Sequence, residues 1–216
     1  SAGRAAGGTR FIMHLIPTKD ELLDLLRRTG GLRTGHFEYP SGLHSNEYMQ
    51  VAVTMRNYDA AKIMSVALSR LLRAHSDIRA MIPELSVVAP ATGGLPVAYG
   101  ISEALRVKRV YWAERDNDDE PLHLRQFFEV EPGEKVLLVD DIIRTGKRLT
   151  ELRKLIESQG GEVIGVAVVV YDPLPDVASF DPLPFYHLLE LRSTYYPDAA
   201  SCELCRKGEP LTKVLV

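Results

Sequence analysis

Cysteine is scarce in this sequence, since Cys202 and Cys205 are the only two among 216 residues. Two cysteines are too few for the disulfide framework of a small secreted domain, which makes the cytoplasm the expected compartment. Their Cys-x-x-Cys spacing is compatible with zinc, but a structural zinc site takes about four ligands and the sequence has no second cysteine pair. On that ligand count, the sequence favours two cysteines that bind no metal.

Long apolar runs and a strong excess of either charge are absent too. No run approaches the roughly 20 apolar residues that span a bilayer, and the glycine-rich start from Ser1 to Thr9 lacks the apolar core of a signal peptide. The formal net charge is only -3, so nothing predicts a nucleic acid or a membrane as partner. Residues 1–14 are expected to be an unstructured start or foreign residues.

What the sequence does contain is 45% hydrophobic residues, enough for one sizeable core, in strands that alternate with helices. Several strands are continuously apolar, as in parallel sheets with helices on both faces, so the predicted fold class is α/β with a parallel sheet flanked by helices. The patterns predict helices over Lys19–Arg28, Asp59–Ala74, Leu95–Leu105 and Leu149–Ser158, and extended segments over Glu47–Val53, Ser86–Ala89, Val107–Ala113, His123–Val130, Lys135–Asp140, Val163–Val170 and Phe185–Leu191.

The segment VLLVDDIIRTGKRL, from Val136 to Leu149, places two adjacent carboxylates at the end of an apolar strand. Such a pair is costly to bury unless a ligand or a partner satisfies it. The helix that follows begins near Gly146, and free N–H groups at a helix N-terminus bind phosphate. Because carboxylates accept hydrogen bonds from hydroxyl groups, the segment predicts a sugar phosphate as ligand. The alternative is an acidic strand end that merely caps the next helix.

Two other phosphate-binding motifs are excluded by their missing residues. The nucleotide triphosphate loop G-x-x-x-x-G-K-[ST] fails because Asp141 and Arg148 occupy two of its required positions. A dinucleotide fingerprint G-x-G-x-x-G follows none of the predicted strands. Nucleotide triphosphatases and dinucleotide-dependent enzymes are therefore not expected.

This segment resembles the phosphoribosyl pyrophosphate (PRPP) motif of type I phosphoribosyltransferases. The motif consists of four apolar residues, Asp-Asp, two apolar residues and then x-Thr-Gly. The resemblance implies that the acidic pair holds the ribose hydroxyls and that the following loop holds the 5-phosphate. Arg144 stands where the family usually has a small residue, and Arg148 where it often has Ser or Thr. The residues thus implied in PRPP binding are Asp140, Asp141, Ile142, Ile143, Arg144, Thr145, Gly146, Lys147 and Arg148.

An upstream segment, Val87 to Gly94, resembles the loop by which the same family contacts pyrophosphate. It is a strand that turns through glycines into a helix, and its N–H groups can form an anion-binding nest. The implied pyrophosphate contacts are Ala91, Thr92 and Gly93. Taken alone, Thr-Gly-Gly is also compatible with an ordinary tight turn.

Three further segments resemble the orotate branch of this family. The first, around Gly35 to Tyr48, resembles an N-terminal hood that covers the base; the second, from Trp112 to Arg125, resembles a mobile catalytic loop; the third is the ending from Tyr196 to Gly208. The resemblance implies a hood over residues 15–57, a core over 58–192 and a tail over 193–216. It implies base-binding residues Phe37, Ser41, His44, Tyr48 and Arg125, and catalytic residues Arg115, His123 and Asp141.

Three departures from the orotate pattern concern the base and the loop. His44 stands where many orotate enzymes have a lysine. Tyr171-Asp172-Pro173 stands where they have an arginine that binds the orotate carboxylate. Arg125 or Arg33 is the available substitute. The loop from Glu114 to Glu120 holds acids where the family usually has lysines, which favours a solvated acidic turn.

The resemblance implies an enzyme that converts PRPP and a nucleobase, orotate foremost, to a nucleoside monophosphate and pyrophosphate in pyrimidine biosynthesis. Mg²⁺ is the implied cofactor, with Asp140 and Asp141 as the candidate direct ligands. A homodimer is implied as well. The alternatives are a non-catalytic regulator that senses PRPP and a phosphoribosyltransferase for a different base.

Overall fold

The computed structural model describes residues 16–117 and 119–214, so the expected unstructured start at residues 1–14 lies outside the described residues. Its larger sheet has six strands in the order β5-β4-β3-β6-β7-β8. These strands are β3 (Ser86–Pro90), β4 (Arg109–Glu114), β5 (His123–Leu124), β6 (Lys135–Ile143), β7 (Glu162–Tyr171) and β8 (Phe185–Glu190). All neighbours are parallel except β5, which runs antiparallel to β4.

Helices cover both faces of this sheet, because alternate residues of its central strands belong to two different apolar clusters. Val87 and Leu137 lie in one cluster with α1, α3 and α5, whereas Val88 and Leu138 lie in the other with α6. The predicted fold class is therefore confirmed. The helices are α1 (Lys19–Thr29), α2 (Val51–Met55), α3 (Tyr58–Ala74), α4 (Ser76–Met81), α5 (Gly94–Leu105), α6 (Lys147–Ser158) and α7 (Glu203–Arg206), with a 3-10 turn at Ile82–Glu84.

A smaller sheet joins the beginning and the end of the described chain. Its strands, in the order β10-β1-β2-β9, are β1 (Leu32–Glu38), β2 (His44–Met49), β9 (Tyr195–Tyr196) and β10 (Leu211–Lys213). β10 pairs parallel to β1, while β9 pairs antiparallel to β2. The segment predicted as a separate tail thus supplies both flanking strands of the sheet whose centre is the predicted hood. The predicted domain boundaries stay a prediction.

The sequence-based boundaries hold best where the local signal is strong. Thr18 and Glu21 form the capping box of α1, since each side chain accepts a hydrogen bond from the backbone N–H of the other residue. The predicted strand over His123–Val130 is wrong beyond Leu124, because Phe127 adopts a left-handed conformation with φ 69°.

Two further boundaries differ. The extended segment predicted over Glu47–Val53 ends at Met49, and α2 then buries Val51 and Met55. The strand predicted to end at Asp140 continues to Ile143, because β7 provides pairing partners along that whole length. In the part of the chain that the structure describes, no helix combines the length and the apolar character needed to cross a bilayer.

Candidate active site

The acidic pair is buried near the C-terminal end of β6, where only Ile142 and Ile143 follow it in the strand. Asp140 is 4% exposed and Asp141 is 9% exposed. Asp140 Oδ1 accepts the Asp141 N–H at 2.9 Å, and Asp141 Oδ1 accepts the Ile142 N–H at 2.8 Å. None of the ion pairs formed by the described residues includes either carboxylate. The pair therefore retains acceptor oxygens that the backbone only partly satisfies.

Burial shifts the protonation of both acids. It raises the pKa of Asp140 well above its ordinary value of 3.8, and the neighbouring charge of Asp141 raises it further. Burial also raises the pKa of Asp141. The charge of Arg148 opposes both shifts without forming a contact that pairs either acid. A ligand that brings hydroxyl donors or a cation removes this cost.

The glycine loop between β3 and α5 lies directly against the acidic pair. A Cβ atom at Gly93 would lie 3.1 Å from a carboxylate oxygen of Asp141, and one at Gly94 would lie 3.1 Å from Asp140 Oδ1. The loop is fixed to the neighbouring strand because the Ala91 N–H donates to the Ala113 carbonyl at 2.7 Å. Its peptide bond between Ala91 and Thr92 is cis. The two segments singled out in the sequence are thus in contact, and a side chain at either glycine would crowd the carboxylates.

The loop after the acidic pair forms the other wall of the cleft. Gly146 adopts φ 72°, which a residue with a side chain rarely does, and α6 begins at Lys147 without a side-chain cap from Gly146. The first N–H groups of a helix lack intrahelical partners and attract anions. A cleft of about 210 Å³ is lined by Asp140, Asp141, Ile142, Ile143, Arg144, Thr145, Gly146, Arg148 and Leu149.

Arg144 leaves this loop toward the smaller sheet. Its Nη2 donates to the Met49 carbonyl at 2.9 Å, and its guanidinium lies 5.1 Å from the centre of the Tyr39 ring. Burial raises the pKa of Tyr39 and of Tyr195, and the charge of Arg144 opposes the rise in both. Its Nε is buried without a hydrogen-bond partner. The side chain therefore connects the loop to the hood, although the sequence assigned it to PRPP.

The cations of the predicted catalytic loop all lie beside carboxylates. Arg115 pairs with Glu151, and Arg125 Nη1 lies 2.5 Å from Glu114 Oε1. His123 Nε2 lies 3.4 Å from Asp116 Oδ1. The pKa of His123 is raised, first by its hydrogen bond to the Leu124 carbonyl and then by the charge of Asp116. None of these three cations is among the residues that line the cleft of the acidic pair.

The residues predicted to bind the base fall into two groups. Phe37 and Tyr48 pack against each other with ring centres 5.6 Å apart, and Tyr39 adds a third ring 6.0 Å from Tyr48. Ser41 is exposed in the turn between β1 and β2. His44 is 4% exposed and is bound elsewhere, in contact with His36 and Cys205. The structure thus brings Phe37 and Tyr48 together and separates His44 from them.

Asp172 lies in the segment 171–173, where the sequence resemblance implied an arginine, and its role was not predicted from the sequence. It is 1% exposed. Its Oδ1 accepts the Ser193 N–H at 3.1 Å, and its Oδ2 accepts the Ser193 hydroxyl at 3.0 Å and the Tyr195 hydroxyl at 2.7 Å. Hydrogen bonds from the tail therefore satisfy this carboxylate without a cation. Its signal in the sequence was an acid directly after a buried strand, which alone does not reveal partners about 20 residues away.

The two suggested substitutes for the missing arginine are engaged elsewhere. Arg33 is exposed, and its Nε donates to the Gly30 carbonyl at 3.2 Å. Arg125 is paired with Glu114. Arg144, in contrast, lies beside the aromatic side chains of the hood.

Comparison with known proteins agrees with this geometry. The profile of the phosphoribosyl transferase domain family matches residues 55–178. The orotate phosphoribosyltransferase of Carboxydothermus hydrogenoformans is 38% identical over 194 residues, which are 89% of this chain and 95% of the relative. That of Thermus thermophilus is 34% identical over 194 residues, which are 90% of this chain and 100% of the relative.

Solved structures show the same fold. Orotate phosphoribosyltransferase from Aeropyrum pernix superposes with a TM-score of 0.64 at 20% identity, covering 79% of this chain and 93% of the other. Adenine phosphoribosyltransferase from Thermoanaerobacter pseudethanolicus has a TM-score of 0.55 at 17% identity, covering 67% and 88%. At such low identity the likeness concerns the fold alone.

We expect Asp140→Asn to raise the melting temperature at neutral pH. Because the pKa of Asp140 is raised in the folded protein, the wild type loses stability as the pH rises from 3.8 through the folded pKa, whereas asparagine carries no such cost and still accepts the Asp141 N–H. Thermal unfolding at a series of pH values checks this. The gain should vanish below the ordinary pKa of an aspartate, and the exposed control Asp176→Asn should show no gain. If the wild type and Asp140→Asn melted at the same temperature at neutral pH, the charged form of Asp140 would not destabilise the fold and the prediction would be wrong.

Proposed function

Because this chain belongs to the phosphoribosyltransferase family, we propose that it transfers the phosphoribosyl group of PRPP to orotate. The products are orotidine 5′-monophosphate and pyrophosphate, a step of pyrimidine biosynthesis. The observation that carries the proposal is that the acidic pair, which lines a cleft, lies directly against the glycine loop of Gly93. The similarity to orotate phosphoribosyltransferases over most of the chain supports orotate as the base.

The cleft supplies positioning and charge for this reaction. Asp140 and Asp141 accept hydrogen bonds from the ribose 2- and 3-hydroxyls, and the N-terminus of α6 with its preceding loop holds the 5-phosphate. The N–H groups of residues 92–94 hold the pyrophosphate, because the Ala91 N–H is already bound to the Ala113 carbonyl. A base nitrogen then attacks ribose C1 while the bond from C1 to the pyrophosphate oxygen breaks. The buried carboxylates stabilise the positive charge that develops on the ribose.

Mg²⁺ is the proposed cofactor, and the donors present fit it. Asp140 and Asp141 offer carboxylate oxygens, which are the ligands that Mg²⁺ prefers, and neither forms an ion pair with the described residues. These two residues would hold the ion together with PRPP oxygens. A bound Mg²⁺ would supply neutralising charge for the departing pyrophosphate.

Arg144 is the proposed partner of the orotate carboxylate. It lies beside the Tyr39 ring and acts electrostatically on Tyr195, and its buried Nε has no hydrogen-bond partner. Burying a carboxylate without a cation is expensive, and the guanidinium can bind one bidentately. Asp172 cannot supply a positive charge, because it is an acid, and it already accepts hydrogen bonds from Ser193 and Tyr195. In this proposal, the cation that binds the orotate carboxylate lies in the loop after β6, whereas the resemblance implied a cation directly after β7.

A homodimer in the cytoplasm is proposed from the family resemblance. Tyr58 and Tyr99 are large aromatic side chains that are 73% and 54% exposed, and both line an apolar cleft between α3 and α5. An exposed aromatic patch of this kind supports an interface between protein copies. We expect light scattering to give the mass of a dimer at assay concentrations; the mass of a single chain would contradict the proposal.

The test of the proposed function is pyrophosphate release from PRPP and Mg²⁺ with orotate, uracil, adenine, guanine or hypoxanthine. We expect turnover with orotate. The matched control is the double variant Asp140→Asn and Asp141→Asn, which should fold but lose PRPP affinity by about tenfold or more, because a hydrogen bond to a charged group contributes about 1.5–3 kcal/mol. Saturable PRPP binding without turnover for any base would instead support a PRPP-sensing regulator, which the carboxylates beside Arg115, His123 and Arg125 favour.

We expect Arg144→Met to raise the KM for orotate by about 10- to 100-fold, because the variant loses a charge-assisted hydrogen bond to the orotate carboxylate. The KM for PRPP should change little. Steady-state kinetics with each substrate varied in turn measures both values. Arg33→Met, which removes an exposed arginine bound to the Gly30 carbonyl, is the matched control. If only the KM for PRPP increased, the proposal would be wrong and Arg144 would be assigned to the phosphate of PRPP.

A further inference from the structure

Four potential metal ligands converge between the smaller sheet and the tail. The ligand atoms of His36, His44, Cys202 and Cys205 all lie within 4.8 Å of one another. Both cysteines are free thiols. Cys202 is fully buried, and each histidine is 4% exposed. Ring nitrogens and thiols packed together away from water have to be satisfied either by hydrogen bonds to one another or by a bound ion.

We propose that these four side chains bind a structural zinc ion. Zinc favours tetrahedral sites of Cys and His, with bonds of about 2.3 Å to sulfur and about 2.0–2.1 Å to nitrogen, so that its nitrogen and sulfur ligands lie roughly 3.5 Å apart. The observed separations match: Cys202 Sγ and Cys205 Sγ lie 3.6 and 3.4 Å from His36 Nε2, and Cys205 Sγ lies 3.5 Å from His44 Nδ1. The two ring nitrogens, 2.9 Å apart, need to separate by a few tenths of an ångström.

The surroundings of His36 favour a metal at this point. Its Nδ1 lies 3.0 Å from the Glu209 carbonyl oxygen, which only accepts hydrogen bonds, so the proton belongs on Nδ1. The lone pair of Nε2 then faces His44 and the thiols. An outer carbonyl that fixes the tautomer in this way is usual for histidines that bind metals. Without a metal, that lone pair depends on a weak thiol donor or on the other imidazole.

The position of the cluster in the fold explains what a metal does there. His36 lies on β1 and His44 on β2, and they pair with Leu211 of β10 and Tyr196 of β9 respectively. Cys205 lies on α7, a helix of only four residues that buries none of its side chains. The tail therefore has little apolar surface with which to hold its place. A zinc ion would tie it to a hairpin more than 160 residues earlier in the chain.

The chemistry of the four ligands selects the kind of metal and its role. Soft thiolates together with imidazoles suit zinc and do not suit Mg²⁺. Because four protein ligands complete a tetrahedron, no position remains for a substrate, and the role is structural. His44, which the sequence assigned to the base, is in this proposal a metal ligand. The proposal stands on this cluster alone and does not depend on the proposed activity.

The experiment measures metal in the full chain, purified without a polyhistidine tag and without a chelator. Elemental analysis by mass spectrometry should find about one zinc ion per chain. Cys205→Ser and His44→Gln should each lose it, while the matched controls His75→Gln and His187→Gln, which change histidines outside the cluster, should keep it. Zinc that stays at the same level in the cluster variants would overturn the proposal.

A second measurement needs no variant. After zinc is removed with a chelator, cobalt(II) should bind and give the visible absorption of a tetrahedral ion with thiolate charge-transfer bands, and added zinc should abolish both. Chelation should also lower the melting temperature of the wild type, and zinc should restore it. Stripped protein that remains folded yet binds neither metal at equimolar concentration would overturn the proposal, whatever the behaviour of the variants.

Discussion

The burial of two adjacent carboxylates at the end of β6 is the constraint on which the rest of the site depends. Asp140 and Asp141 have raised pKa values because burial removes the water that would stabilise their charge. The chain does not relieve this cost with an ion pair from its described residues. Instead it surrounds the pair with hydrogen-bond donors of the backbone and with a loop that is free of side chains at Gly93 and Gly94. The buried carboxylates thus lower the folding stability at the site where a bound ligand can restore it.

The distribution of positive charge follows from the same constraint. An arginine in contact with the acidic pair would neutralise it internally and compete with a sugar and a cation. Arg144 is only a few residues away, yet its guanidinium is held against the Met49 carbonyl and the Tyr39 ring. Asp172 is satisfied instead by hydrogen bonds from the hydroxyls of Ser193 and Tyr195. Hydrogen bonds to Met49, Ser193 and Tyr195 therefore engage these two charged side chains with partners outside the acidic pair.

The sequence predicts the large sheet well and the small sheet poorly, for a physical reason. Strands such as Val163–Val170 are apolar throughout, and the acidic motif joins its strand and helix within a few residues, so local signals suffice. β9 and β10 are short and mostly exposed, and they form only because strands far away in the sequence offer pairing partners. The metal-ligand cluster was missed for the same reason. His36 and His44 face the two cysteines only after β1 and β2 have paired and the tail has returned to them.

The closing of the small sheet by β10 has a consequence for the order of events during synthesis. β1 leaves the ribosome long before its parallel partner at Leu211–Lys213. Such long-range pairing is slow because a large loop must close before any contact forms. The last strand of the large sheet ends at Glu190, so this sheet can begin to assemble while translation continues. The hairpin of β1 and β2 must meanwhile wait with both edges open, a hazard for association with neighbouring nascent chains.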